Sequence, residues 1–323
     1  MMDAKGIKDR VAGISPERRE LLERLAQKRG MQVPVEKAVA SGHADMAGIL
    51  QEVAVGREQY NDYSVNHDKS MIQSVYNAYH RQMHGAVFDE ESVFMNLGYV
   101  ATDAPQYSPV RLPEHMLGRK YIKLVLEVFG DCDLNGRRLL DVGCGRGGTI
   151  RTALTYCKPS LAIGVDLTTG GIELARRSLR FPNTWFLRGN AEHLPFADAA
   201  FDVVTNVESS HHYSNVDSFY RNVWRVLAPG GHFLYTTFLP VPQFEHDLVT
   251  LAELGFQLKR ELDITPNVLA ACDQDRGGVF SGFASGEENP WIANAVSMPG
   301  SDTYNYMSSG RALYKLFKFV KPA

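Results

Sequence analysis

Apolar and polar positions change period near residue 137. Between Val33 and Gly85 apolar residues recur at helical spacing, and Met71, Ile72, Val75, Tyr76, Tyr79 and Met83 line one predicted helix face. A short helix is predicted further upstream, with Ser15 as N-cap, Pro16 at its first position and Leu21, Leu22 and Leu25 as its apolar face. From Arg137 onward compact apolar runs alternate with amphipathic stretches, as βαβ units in a parallel sheet require. Strands are predicted at 138–142, 161–166, 185–189, 201–206, 232–238 and 256–261, and the alternation of 311–320 predicts an antiparallel last strand. Helices are predicted at 149–157, 170–180, 217–227 and 244–254. Residues 265–305, rich in Gly, Asn and Ser, read as an irregular insertion that covers the substrate.

The first strand runs into Asp141-Val142-Gly143-Cys144-Gly145-Arg146-Gly147-Gly148, a glycine-rich turn that opens a helix. Gly143, Gly145 and Gly148 satisfy G-x-G-x-x-G, which more than one cofactor can claim. Asp141 narrows the choice. A carboxylate at the strand end repels a pyrophosphate and favours a cation such as S-adenosylmethionine, which carries a sulfonium and an ammonium. Asp166, followed by Leu167, ends the second strand where a doubly wound fold places the carboxylate that grips a ribose diol.

The acid-G-x-G-x-G pattern resembles motif I of the class I S-adenosylmethionine-dependent methyltransferases. Asn96-Leu97-Gly98-Tyr99 resembles the N-[LFW]-G-Y segment ahead of the core in small-molecule members, and the resemblance implies that Tyr99 reaches the methionine end of the donor. Asn190-Ala191-Glu192-His193-Leu194-Pro195-Phe196 is similar to the adenine-bracketing segment, with Asn190 where an Asp is usual. The Asn190 carbonyl can accept from the adenine amine or its amide can turn the other way, and Ala191 offers its backbone N–H. Ala228-Pro229-Gly230-Gly231 matches the late helix–turn–strand motif, with both glycines supplying positive φ at a helix stop. The run Asn206-Val207-Glu208-Ser209-Ser210-His211 closely resembles phthiotriol dimycocerosate O-methyltransferases. It is also similar to O-methyltransferase domains of polyketide synthases and to microcystin-type and rebeccamycin-type enzymes. The resemblance covers roughly residues 94–238. It implies an α/β, Rossmann-like class I methyltransferase fold, a mostly parallel seven-stranded sheet with an antiparallel last strand, under an N-terminal helical lid. It also implies S-adenosyl-L-methionine as cofactor and Asn206 in the donor site. The chain then divides into a linker or docking-like segment (1–30), a helical lid or extension (31–115) and a methyltransferase core (116–323).

Methylating a hydroxyl needs a base near pH 7, and histidine, with an unperturbed pKa of about 6.5, suits that task. His211 and His212 follow the fourth strand, with Glu208 three residues before His211. If that loop enters a helical turn, Glu208 and His211 share a side and the carboxylate orients the imidazole. One of the two histidines is then the base and the other packs. Adjacent histidines point apart, so no metal site is expected. His67, His80 and His84 are expected to be surface or lid-packing residues, and Glu245-His246-Asp247 a solvated helix start. The leading reading is an O-methyltransferase acting on a hydroxyl of a polyketide, nonribosomal peptide or lipid-like natural product, free or carrier-bound. A carbon methyltransferase of the quinone or sterol type, a nicotinamide-dependent dehydrogenase and a non-catalytic docking scaffold are the alternatives.

Composition adds exclusions. An apolar content of 44% suffices for a packed core, and a formal charge of -3 leaves no electrostatic footprint for nucleic acid. The four cysteines are scattered without disulfide or zinc spacing, which fits a reducing cytosol. There is no secretory h-region and no run of about 18 apolar residues, so a cytoplasmic chain without a transmembrane segment is expected. Residues Ile14 to Leu25 look like the linkers around carrier proteins in assembly lines, which points to a carrier-tethered substrate or assembly-line docking.

Overall fold

The computed structural model describes residues 70, 73, 74, 76, 77, 80, 93–102, 106–274, 294 and 297–323. The segment 1–30, most of 31–92 (with His67, Met71, Ile72, Val75, Tyr79, Met83 and His84) and 275–293 lie outside the described residues.

Helix α1 (Arg119–Phe129) leads into β1 (Arg138–Val142), α2 (Gly148–Tyr156), β2 (Leu161–Asp166), α3 (Thr169–Ser178), β3 (Thr184–Arg188) and β4 (Phe201–Val207). Then follow α4 (Val216–Val226), β5 (Leu227–Pro240), α5 (Val241–Glu253), β6 (Gln257–Asp263), α6 (Thr265–Gln274), α7 (Asp302–Ser308) and β7 (Ala312–Val320). The strands form a 7-stranded sheet in the order β3-β2-β1-β4-β5-β7-β6. Strands β1 to β5 pair in parallel, and β7 lies antiparallel between β5 and β6. This is the expected mixed sheet. Its strand order reverses between β1 and β4, and ligands of open α/β sheets bind at that switch point, outside the carboxyl ends of the strands.

The central strands are covered on both faces, which is why β1 and β4 read as continuous apolar runs. Leu139 belongs to a core with Leu124, Val128, Ile150 and Ala153, and its neighbour Leu140 to a second core with Phe219, Val223, Phe233 and Phe317. Alternation along the strand divides them between the two faces. Among the described residues no helix is long and apolar enough to cross a membrane.

Two local expectations are corrected. The stretch 265–305 is helical at both ends, in α6 and α7. Asp263 Oδ1 accepts from the N–H and hydroxyl of Thr265, Asn267 Nδ2 donates to Val100 O at 2.9 Å, and Val268 and Cys272 enter the core, so capping and burial override a composition that suggests loop. Gly230 does have positive φ (75°), but inside a bulge rather than at the helix stop, since α4 ends at Val226 with Leu227 as its C-cap. Its N–H donates to Lys321 O at 2.8 Å.

Candidate active site

A cleft of about 1030 Å³, counted with its open mouth, lies at the carboxyl ends of the strands, where open α/β sheets bind ligands. Its floor is the turn after β1. Gly143, Gly145 and Gly147 take φ of 72°, 51° and 85°, and Gly148 begins α2. The left-handed glycines therefore include 147, where the fingerprint had marked 148. A Cβ on Gly143 would lie 1.9 Å from Ser209 Oγ, and one on Gly145 2.7 Å from Met95 Sδ. Backbone here packs directly against two other segments.

Asp166 and Leu167 form the next wall. Asp166 Oδ2 accepts from Gly145 N–H at 2.8 Å, and Oδ1 accepts from Thr168 N–H at 2.8 Å and its hydroxyl at 2.6 Å. Burial raises its pKa, against the pull of those bonds. Asn190, Ala191 and Glu192 follow. Asn190 Oδ1 accepts from Glu192 N–H at 3.0 Å, which fixes the amide orientation that the sequence left open. The carbonyl already has one donor, and the amide NH2 points toward His193.

Polar side chains from the helical positions 73, 76, 77 and 80 meet the residues around the cleft. Gln73 Nε2 donates to Leu167 O at 3.2 Å, Asn77 Oδ1 accepts from Gly170 N–H at 3.3 Å, and Arg146 Nε donates to His80 Nδ1 at 3.1 Å. Burial, with the Arg146 charge adding to it, pushes the His80 pKa down to about 3, so this imidazole is a neutral packing group. The Tyr76 hydroxyl lies 2.7 Å from His212 Nε2. Positions 73, 76, 77 and 80 are spaced i, i+3, i+4, i+7, a legible signal masked by the apolar stripe beside it.

Beyond β4 the chain turns at Glu208, a non-glycine residue with φ 51°, into a 3-10 helix Ser210–His212. Because helical geometry begins only at Ser210, the expected Glu208–His211 pair does not form. Glu208 Oε1 instead accepts from Leu97 N–H at 2.7 Å and from the Tyr314 hydroxyl of β7. Glu208 and His212 line the cleft, whereas His211 stands behind, its Nδ1 3.0 Å from Thr237 Oγ1 and its ring 4.6 Å from that of Phe238.

The family model described as a methyltransferase domain matches residues 140–235. A fatty-acid O-methyltransferase of Mycolicibacterium smegmatis is 34% identical over 241 residues, covering 73% of this chain and 85% of that protein. A phthiotriol/phenolphthiotriol dimycocerosates methyltransferase of Mycobacterium tuberculosis is 30% identical over 270 residues, covering 78% and 94%. This chain belongs to the S-adenosylmethionine-dependent methyltransferase family. A geranyl diphosphate C-methyltransferase from Streptomyces coelicolor A3(2), solved with Mg2+, geranyl diphosphate and S-adenosyl-L-homocysteine, shares the methyltransferase fold at a TM-score of 0.54 and 18% identity, covering 73% of this chain and 94% of that one.

The residues present fit the methyl donor of this family. Among the described residues two buried acceptors, Asp141 Oδ2 and Asn206 Oδ1, lack a well-placed hydrogen-bond donor, the Thr149 hydroxyl bearing on the Asp141 carboxyl. Their lone pairs place negative potential behind the glycine turn, which suits a ligand carrying a sulfonium and an ammonium. Both side chains sit behind the cleft wall rather than in it, because Asp141 Oδ1 is drawn to the Thr205 hydroxyl at 2.7 Å and Asn206 Nδ2 to Val142 O at 2.8 Å. Tyr99 is also off the wall. Its N–H donates to Lys120 O at 2.9 Å and its ring enters the core, leaving Met95 and Asn96 of the same segment at the cleft of this methyltransferase.

Burial pushes Asp141 and Glu208 up to about 7 each, opposed by nearby hydroxyls and, at Glu208, the Leu97 N–H. The folded methyltransferase then holds more protons than the unfolded chain between about pH 4 and pH 7. Stability is therefore expected to fall as pH rises through that window, by at most about 1.4 kcal/mol per pH unit for each group. Denaturant midpoints measured from pH 5 to pH 8 check this, and Asp141→Asn should flatten the slope; a wild-type slope in that variant contradicts the assignment.

Proposed function

We propose that this methyltransferase transfers a methyl group to a hydroxyl of a lipid- or polyketide-like acceptor, with His212 as general base. The observation that carries the reading is His212 in the cleft wall, its Nε2 2.7 Å from the Tyr76 hydroxyl and its neighbours on the wall the glycine turn and Glu208. Among the described lining residues there is no Lys or Arg, which favours a neutral hydroxyl over an anionic acceptor. The names of the relatives, a fatty-acid O-methyltransferase and phthiotriol dimycocerosates methyltransferases, support a long-chain acceptor.

When bound, S-adenosylmethionine supplies an electrophilic methyl group on a sulfonium. Gly143 and Gly145 would shape the floor beneath it, Asp166 and Leu167 would hold its ribose, and Asn190 and Ala191 would bracket its adenine. Asp141 and Asn206 act from behind the wall, and Tyr99 supports the segment that presents Met95. The Tyr76 hydroxyl relays the acceptor proton to His212, giving its own proton to Nε2 as it takes that of the acceptor. His211 packs against it at a ring distance of 4.0 Å, and Glu208 orients the acceptor instead of the base. Carrier-tethered delivery, with residues 14–25 as the docking element, and a cytoplasmic setting complete the proposal. The latter is supported by the free thiols of Cys132, Cys144 and Cys272, all buried.

Transfer of labelled methyl from S-adenosylmethionine to hydroxy fatty acids, free and on a carrier protein, tests the reading against unsubstituted fatty acids. Methyl ethers are expected. Methyl esters of plain fatty acids, or no transfer to any hydroxylated chain, would overturn it. The buried Glu208 carboxylate in the cleft favours one alternative, carbon methylation of a quinone- or sterol-like lipid, which the product mass spectrum separates from an ether.

A further inference from the structure

The 3-10 helix that carries the histidines is three residues long, and its N-cap Ser209 makes no side-chain cap. Such turns have poor hydrogen-bond geometry and hold little stability of their own. Side chains tether this one. Ser209 Oγ lies 2.8 Å from the Tyr213 hydroxyl, Ser210 Oγ 2.7 Å from that of Tyr235, and His211 Nδ1 3.0 Å from Thr237 Oγ1. Tyr235 and Thr237 are two apart on β5 and face the same side.

Behind Tyr235 the bonding continues. The Tyr220 hydroxyl of α4 lies 3.2 Å from that of Tyr235 and donates to Asp247 Oδ2 of α5 at 2.7 Å, while Gln243 Nε2 donates to Oδ1 at 3.1 Å. Asp247 is 2% exposed, contrary to the solvated helix start expected from Glu245-His246-Asp247; Glu245 is exposed and His246 pairs with Asp217 at 3.2 Å. A phenol has one proton to donate. Tyr220 gives its proton to Asp247, so its oxygen accepts from Tyr235, whose oxygen accepts from Ser210. One carboxylate thus sets the direction of three hydroxyls. Phenylalanine at 220 and 235 would fill the same aromatic core without the cost of burying hydroxyls, so packing alone does not account for them.

We propose that Asp247 is a positioning residue for the histidine turn, acting through Tyr220, Tyr235 and Ser210 to fix where the His212 imidazole meets the cleft. The proposal rests on His212 as base. It also explains a buried carboxylate far along the chain from the donor loops.

The test uses the full chain, with turnover on the best acceptor of the hydroxy fatty acid panel, S-adenosylhomocysteine affinity by calorimetry, and the His212 imidazole titration by NMR. Asp247→Leu is expected to lower kcat about tenfold or more and to move the titration midpoint, with donor-site affinity held within about twofold. Asp247→Asn keeps an acceptor for Tyr220 and should stay near wild type. If Asp247→Leu does not fold, Tyr235→Phe and Ser210→Ala carry the test, each with a similar loss and no further loss when combined, and Ser210→Thr retaining activity. Unchanged kcat and titration in Tyr235→Phe, Asp247→Asn as defective as Asp247→Leu, or an equal loss of S-adenosylhomocysteine affinity would overturn the proposal. An inactive His212→Ala with an unaffected Tyr235→Phe sinks the positioning role alone, whereas a fully active His212→Ala sinks the base and this proposal together.

Discussion

Replacing His212 with Ala is expected to lower kcat by about 10²–10⁴-fold, the usual worth of a general base. Affinity for S-adenosylhomocysteine should change little, because the glycine turn, Asp166 and Asn190, the proposed donor residues, line the cleft apart from His212. His211→Ala should cost less, since its imidazole stands behind the wall against Thr237 and Phe238. The pH profile adds a second readout: the acidic limb of kcat/KM belongs to the base and should vanish with His212 and survive without His211. Full turnover by His212→Ala, or a deeper loss in His211→Ala, would move the base elsewhere.

Gly143→Ala is expected to lower S-adenosylhomocysteine affinity more than about tenfold and the melting temperature by about 5 °C. Two independent penalties meet at this position. Alanine is strained at φ 72°, and its Cβ would lie 1.9 Å from Ser209 Oγ and 2.8 Å from the Tyr213 hydroxyl. Relief requires Ser209 to move, which disturbs the histidine turn and the cleft wall together. Gly136→Ala is the control, because its φ of 68° carries the same backbone strain with nothing within 4 Å of the added Cβ. It should lose stability and keep donor affinity. Equal affinities for the two variants would show that the contact with Ser209 is immaterial.

Contiguous signals were readable from the chain. Gly143 and Gly145 occupy the left-handed turn at the cleft floor, and Asp166, Leu167, Asn190 and Ala191 line its walls, since each lies at the end of a strand whose apolar run announces it. Glu208 and His212 likewise reach the cleft, directly after β4. The reading failed where side-chain direction was inferred from spacing. Glu208 and His211 are three apart, yet a left-handed residue at 208 breaks the helical phase, and the carboxylate goes to Leu97 and Tyr314, 111 and 106 positions away. Tyr99, which the resemblance placed at the donor, sits beside a cleft segment with its ring in the core.

Sequence by itself determined the α/β order and the glycine turn, through apolar period and glycine placement, and its motifs carried the resemblance to the methyltransferase family; all of these are local properties of the chain. Tertiary structure alone decided which histidine reaches the cleft, what holds Glu208, and that Asp247 is buried beside the histidine turn. Those depend on contacts between residues such as Tyr76 and His212, 136 positions apart, whose meeting is set by strand order and helix packing rather than by any neighbour in the chain.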